Sequence, residues 1–248
     1  MHNAEEFIEW RKKQAIKIAD ADDYHSSSLN WMNNAVRLDY SYMFEWLGVP
    51  VIQFPGDLLL IQEAIVSANV SKVIEVGIAR GGTTIFLSSI LDLMGYSSCP
   101  NVIGVDISIS EHTSLAIEKS KFKERIALIE GDSIAESTFQ KVSKLVNFND
   151  RVMVILDSNH TMSHVYNELN LYSELVSEGS YLIVMDTAIE YIDPISIPKE
   201  KPWGRGNSPK TAVSRFLSEN RESFTVDSKI DNRSLPGAAK GGFLRRLP

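Results

Sequence analysis

Between Lys72 and Met185 short apolar runs alternate with longer stretches in which apolar residues recur at helical spacing. The runs Lys72–Val76, Val102–Val105, Ile126–Ile129, Val152–Leu156 and Tyr181–Met185 predict strands. Helices are expected between them, most clearly from about His160 to Val176. This alternation predicts a parallel sheet with helices packed on its faces. Near-continuous apolar strands agree, because a strand covered on both faces need not alternate. Upstream, Phe7, Trp10, Ala15, Ile18 and Ala19 share one side of a helical wheel within Ala4–Ala19, which predicts an amphipathic helix. Gly48-Val-Pro50 and Phe54-Pro-Gly56 then punctuate the chain, with Asp57 placed to cap a helix from Leu58 to about Ala68. Beyond Asp186 a long loop runs through Pro194, Pro198 and Pro202. Ser208 as N-cap with Pro209 at the first helical position then opens a helix to about Glu219. The tail, Phe224–Ile230 and Gly242–Leu247, is expected to form a closing hairpin around Pro236-Gly237.

Two regions follow from this pattern. Residues 1–50, rich in charge and aromatics, read as a helical N-terminal extension serving as a cap or oligomer contact, and 51–248 as the α/β domain. A chain of 248 residues can bury one sizeable core. A formal charge of −7 and a pI near 5.3 argue against a nucleic-acid surface, and Arg245-Arg246 is too small to be a basic patch. The single cysteine, Cys99, excludes an internal disulfide or a multi-cysteine metal site. The acidic N-terminus lacks the apolar core of a signal peptide, and no apolar run reaches the roughly 18 residues a membrane helix needs. A cytoplasmic protein is expected, and the aromatic-rich N-terminus favours a homo-oligomer.

Every β-run ends in or beside an acid: Glu75, Asp106, Asp132, Asp157 and Asp186. Ligands of open α/β sheets bind beyond the carboxyl ends of the strands, so these acids would form one negative rim. Each taken singly is equally well a helix cap. The turn Gly77-Ile-Ala-Arg-Gly-Gly82 places small residues where backbone approaches a ligand. It nearly fits the dinucleotide fingerprint, so NAD and S-adenosylmethionine both remain candidates. Glu75 before the first glycine and the later acids favour the sulfonium cation. Asp106 is then placed for ribose hydroxyls and Asp132-Ser133 for adenine. If the fourth and fifth strands are neighbours, Asp157 and Asp186 sit about 5 Å apart. Such a pair either repels, raising a pKa, or shares a hard cation such as Mg²⁺. A bound cation would acidify an acceptor hydroxyl, and His160 is placed to take its proton, with His164 one turn later in reserve.

Together, several segments resemble the cephalosporin hydroxylase / rhamnosyl O-methyltransferase family. They are Val73-Ile-Glu-Val-Gly77, Gly81-Gly82-Thr83, Val152–His160, Gly179–Leu182, Asp186-Thr187 and Pro202–Ala212, with Trp46–Gly48, Ile52–Pro55 and Gly242–Arg245 flanking them. The resemblance spans roughly residues 40 to 247. It implies a Rossmann-like class I methyltransferase fold: a mostly parallel seven-stranded sheet, helices on both faces and a closing antiparallel hairpin. It also implies cofactor contacts around Glu75, Gly77, Arg80, Gly81, Gly82, Thr83, Asp106, Asp132, Ser133 and Asp157, metal ligation by Asp157 and Asp186, and a catalytic role for His160 with Asp157. One departure is Met185, where some members carry an acid; a thioether is a poor ligand for a hard cation, so Asn159, an acceptor oxygen or water would have to substitute.

The implied activity is S-adenosylmethionine-dependent, Mg²⁺-assisted O-methylation of a sugar or natural-product hydroxyl. A non-catalytic cofactor-binding partner of an oxidase and an NAD-dependent oxidoreductase are the rival readings. The loop Lys201–Asn207 around Trp203 is either a lid over the acceptor or an ordered connector.

Overall fold

A computed structural model describes residues 3–96 and 98–248. Met1 and His2, part of the N-terminal stretch considered above, lie outside the described residues. The central sheet contains β3 (Lys72–Val76), β4 (Val102–Asp106), β5 (Ile126–Glu130), β6 (Val152–Leu156), β7 (Tyr181–Val184), β8 (Phe224–Val226) and β9 (Phe243–Arg246), in the order β5-β4-β3-β6-β7-β9-β8. Neighbours from β5 to β7 pair in parallel, and β9 runs antiparallel to both β7 and β8. A separate hairpin joins β1 (Phe44–Trp46) to β2 (Val49–Val51). Strand order reverses between β3 and β6, the switch point where open α/β sheets bind ligands.

The apolar strands divide residue by residue between two cores. Val73, Met153, Ile155, Ile183 and Met185 enter the core shared with α3 (Pro55–Ser67) and α4 (Gly82–Leu93). Ile74, Val76, Val154, Leu156 and Val184 enter the other, with α6 (Glu136–Ser143), α7 (Met162–Tyr172) and α8 (Pro209–Glu219). Helix α5 (Glu111–Lys119) follows β4, and α9 (Ser228–Asp231) interrupts the tail. The expected tail strand therefore stops at Val226, and Ile230 lies in a helical turn opened by Asp227. Ser208 caps α8, with Pro209 at its first position, as expected.

Asp57 does not cap α3. The helix starts at Pro55 after Phe54, and Asp57 sits within its first turn, fully buried, accepting from the Ala238 amide at 2.7 Å. Proline suits the first helical position because its missing N–H has no partner there anyway. At the N-terminus, α1 (Ala4–Ala19) is followed by α2 (Asp22–Arg37), which the periodicity did not reveal. Of the predicted α1 face only Ala15 is buried; Phe7 and Trp10 stack on each other at 5.6 Å and stay half exposed. Helix α2 does the docking: Met32 packs with Ala188, Ile192 and Leu235, and Tyr24 donates to the Leu235 carbonyl at 2.7 Å. Among the described residues no helix is long and apolar enough to cross a membrane.

Lys72 opens β3 as a fully buried cation, 2.6 Å from Asp150 and bonded to the Leu145 carbonyl. Removing one partner of a buried pair leaves the other uncompensated. Lys72→Ala is expected to cost about 3–5 kcal/mol in urea unfolding. A loss below about 1 kcal/mol would show that water screens the pair as it does at a surface.

Candidate active site

The parallel strands deliver their acids to one edge, and glycine lets the backbone close around them. Gly77 follows β3 at φ +92°, where a Cβ would lie 2.2 Å from the Asp157 carbonyl oxygen. No other residue lets the turn pass so close to the tip of β6. A Cβ on Gly82 would lie 2.1 Å from the Pro50 carbonyl, so this glycine seats α4 against the β1–β2 hairpin.

Beyond these tips lies a cavity of about 320 Å³ crossing β5, β4, β3 and β6. Of the predicted cofactor residues, Gly77, Asp106, Asp132, Ser133 and Asp157 line it. Asp106 Oδ2 accepts from the Ile78 and Ala79 amides at 3.0 and 3.2 Å, which ties the glycine turn to β4. Glu75, Arg80, Gly81, Gly82 and Thr83 are not in the lining. Arg80 is exposed, while Glu75 lies buried beneath the turn and accepts from Thr84 Oγ1 at 2.6 Å.

At the β6–β7 end, Asp157, His160 and Asp186 each place one ligand atom within 4.8 Å of the others. His160 Nε2 stands 3.2 Å from Asp186 Oδ2. Gln53, buried on the segment after β2, donates to Asp157 Oδ2 at 2.6 Å. Burial pushes the Asp157 carboxyl well above the usual range, and Asp186 and then Glu75 push it further; the Gln53 bond works against them. Asp57 is pushed up to about 7, by burial first. Acids crowded away from water need protons or a cation, and two carboxylate oxygens with an imidazole nitrogen suit a divalent ion.

Met185 offers this site nothing: alternation along β7 turns it into the α3–α4 core, with 1% of its surface exposed. Asn159 Oδ1 is engaged in opening α7, accepting from Thr161 N and Oγ1 at 2.8 and 2.7 Å. The third side chain beside the two aspartates is instead His160. Trp203 stands edge-on to His160 with ring centroids 4.8 Å apart. Its loop is pinned: Asn207 Oδ1 accepts from Met162 N at 2.9 Å, and Glu190 accepts from Gly206 N and Ser208 Oγ at 3.0 and 2.6 Å. His164 turns away from this centre. Its Nε2 lies 3.0 Å from Ser133 Oγ and 3.1 Å from Glu168, on the β5 side.

Sequence reasoning gave no role to Gln53 or Glu168. Gln53 lay within a quoted motif, and Glu168 is four residues beyond His164, one helical turn along the same face. Asp57 was visible but assigned to a cap.

Fold and site together define a class I, S-adenosylmethionine-dependent O-methyltransferase. The sequence profile of the Rhamnosyl O-methyltransferase/CmcI family matches residues 38–247, and the chain belongs to that family. A Rhamnosyl O-methyltransferase of Mycobacterium tuberculosis (strain ATCC 25618 / H37Rv) is 28% identical over 229 residues, covering 92% of this chain and 85% of the relative. A CmcI structure described as Mg-SAM superposes with a TM-score of 0.60 at 22% identity, over 84% of this chain and 78% of that one. An O-methyltransferase from Bacillus cereus in complex with SAH gives 0.52 at 15% identity, over 96% and 97%.

Burial, and then the Asp106 charge, push Glu75 up to about 8. A carboxyl raised in the folded state binds its proton more tightly there than in the unfolded chain. The stability it contributes is therefore fully present below about pH 4, its unfolded value, and is lost as pH rises through about 8. Glu75→Gln has no proton to lose. Measured by urea unfolding, its stability relative to wild type should rise between about pH 5 and about pH 8; a constant difference would place the Glu75 charge in water.

Proposed function

We propose that the chain transfers a methyl group from S-adenosylmethionine to a hydroxyl of a sugar or natural-product intermediate, assisted by Mg²⁺. The convergence of Asp157, His160 and Asp186 at one end of the cofactor cavity carries this reading. Asp157 and Asp186 would hold the ion, and Gln53 orients the Asp157 carboxylate. A bound Mg²⁺ polarises an acceptor oxygen and lowers its pKa.

In the transfer, an acceptor oxygen forms a bond to the methyl carbon, the carbon–sulfur bond breaks, and its electron pair returns to sulfur. The hydroxyl proton passes to His160 Nε2, where the neighbouring Asp186 carboxylate offsets the positive charge gained by the ring. Trp203 restricts water and motion around that ring. Most of the rate enhancement then comes from holding oxygen, methyl and sulfur in line.

The acceptor reading draws support from aromatic faces beside the site. Trp31 and Tyr40 pack on Phe54 at 5.8 and 6.2 Å, next in sequence to Gln53, and both remain over one third exposed. Flat faces with a polar rim suit a sugar ring. The helical extension thereby contributes one wall of the acceptor side.

The same cluster favours a second role for His160, as a third metal ligand. Calorimetric titration of S-adenosylmethionine with and without Mg²⁺ tests the main reading; absence of binding under both conditions overturns it. In methyl transfer to an acceptor hydroxyl, His160→Ala should lose about 10²–10⁴-fold in turnover while Mg²⁺ affinity holds. If Mg²⁺ affinity falls in step, His160 is a ligand and another group is the base.

A further inference from the structure

Glu168 is fully buried and, among the described residues, pairs with no lysine or arginine. Its Oε1 accepts from Ser133 Oγ and Ser158 Oγ, both at 2.5 Å, and faces His164 Nε2 at 3.1 Å. Its Oε2 is buried with no hydrogen-bond partner among the described residues. One oxygen thus ties together the loop after β5, the tip of β6 and helix α7. Tyr172, also buried, adds a bond to the Ser133 carbonyl at 3.1 Å. A carboxylate kept in so dry a place costs stability unless its donors are fixed, so the groups it holds are held firmly. Three of them, Ser133, Ser158 and His164, form a polar wall of the cofactor cavity.

The hydrogens on this wall can be counted. Each serine has a single hydroxyl proton and donates it to Glu168. Among the described residues the only remaining donor toward Glu168 is His164 Nε2–H, so the neutral ring carries its proton on Nε2. Nδ1 is then a bare acceptor, and it makes no hydrogen bond among the described residues. Glu168 also favours the charged ring, raising the His164 pKa, so the neutral form is reached on the alkaline side.

Placement follows from the proposed methyl transfer, on which this inference rests. The sulfonium must lie near Asp157 and Asp186, at one end of the cavity. The nucleoside then extends past Asp106, and its base reaches the opposite end, where Asp132, Ser133 and His164 stand. We propose that His164 is a specificity residue for the adenine base, accepting a hydrogen bond from its 6-amino group through Nδ1, and that Glu168 is the positioning residue that fixes the ring for this task. A 6-oxo base presents an acceptor at the same place and would face Nδ1 with no proton between them.

The test is calorimetric binding of S-adenosylhomocysteine and of its inosine counterpart across an alkaline pH series, the adenine preference growing as the imidazole loses its proton. Wild type should prefer the adenine form. His164→Ala, a change at a partly exposed side chain, should weaken S-adenosylhomocysteine by up to about tenfold and bring the adenine-to-inosine ratio close to one. Glu168→Gln keeps the shape but no longer dictates the tautomer, and should lower the ratio while the ring remains. A His164→Ala protein that keeps the wild-type ratio overturns the inference and leaves the methyltransferase reading standing. A wild-type protein that binds neither ligand overturns the methyltransferase reading, and this inference with it.

Discussion

Like charges brought together out of water are the constraint around which this protein is organised. Parallel pairing sets the tips of β6 and β7 side by side, and the chain puts an aspartate after each. Asp57 and Glu75 add two more buried carboxyls from below, and Asp157 feels the electrostatic pressure of all three others. The protein supplies a neutral amide, Gln53, and an imidazole, His160, and among the described residues no lysine or arginine pairs with these acids. Such an arrangement is relieved by protons, which Asp57 and Glu75 keep up to about 7 and about 8, or by a cation. The acids persist because the strands, buried on both faces, fix their positions whatever the charge.

The rest of the chain completes this edge. Helix α2 and the 188–197 segment pack on each other through Met32, Ala188 and Ile192, so these two peripheral segments share one small core of their own. The β1–β2 hairpin lies against α4 because Gly82 leaves room for Pro50. These contacts bring Gln53 and Phe54 up to Asp157 and give the site walls that the sheet alone does not provide.

The sheet was legible because burial on both faces forces continuous apolar runs, and all five parallel strands are where those runs lie. The acids at their ends were legible for the same reason, since strand tips are fixed by strand ends. The α2 helix was not, because Tyr24 and Met32 are scattered among asparagines and serines and find their partners about 160 residues or more away. Asp57 misled because an acid near a helix start has two common uses, and only the distant Ala238 amide distinguishes them. Met185 looked like a missing ligand; the two-residue period of β7 assigns it to the core, while His160 comes from beyond the next strand tip. Glu168 carried only its place one helical turn after His164 as a local signal, and its role emerges when Ser133 and Ser158 fold onto it.

Helix α7 has a place in both halves of the site. Its first amide holds Asn207, and with it the Trp203 loop, while His164 two residues later lines the cavity and Glu168 one further turn on holds that ring from behind. A rigid rod of 11 residues that bears on two ligands transmits displacement between them. Any difference in the position of α7 between the empty and the cofactor-filled protein is felt by the loop. Linkage makes the effect mutual, the acceptor altering the hold on the cofactor by the same factor as the cofactor alters the hold on the acceptor.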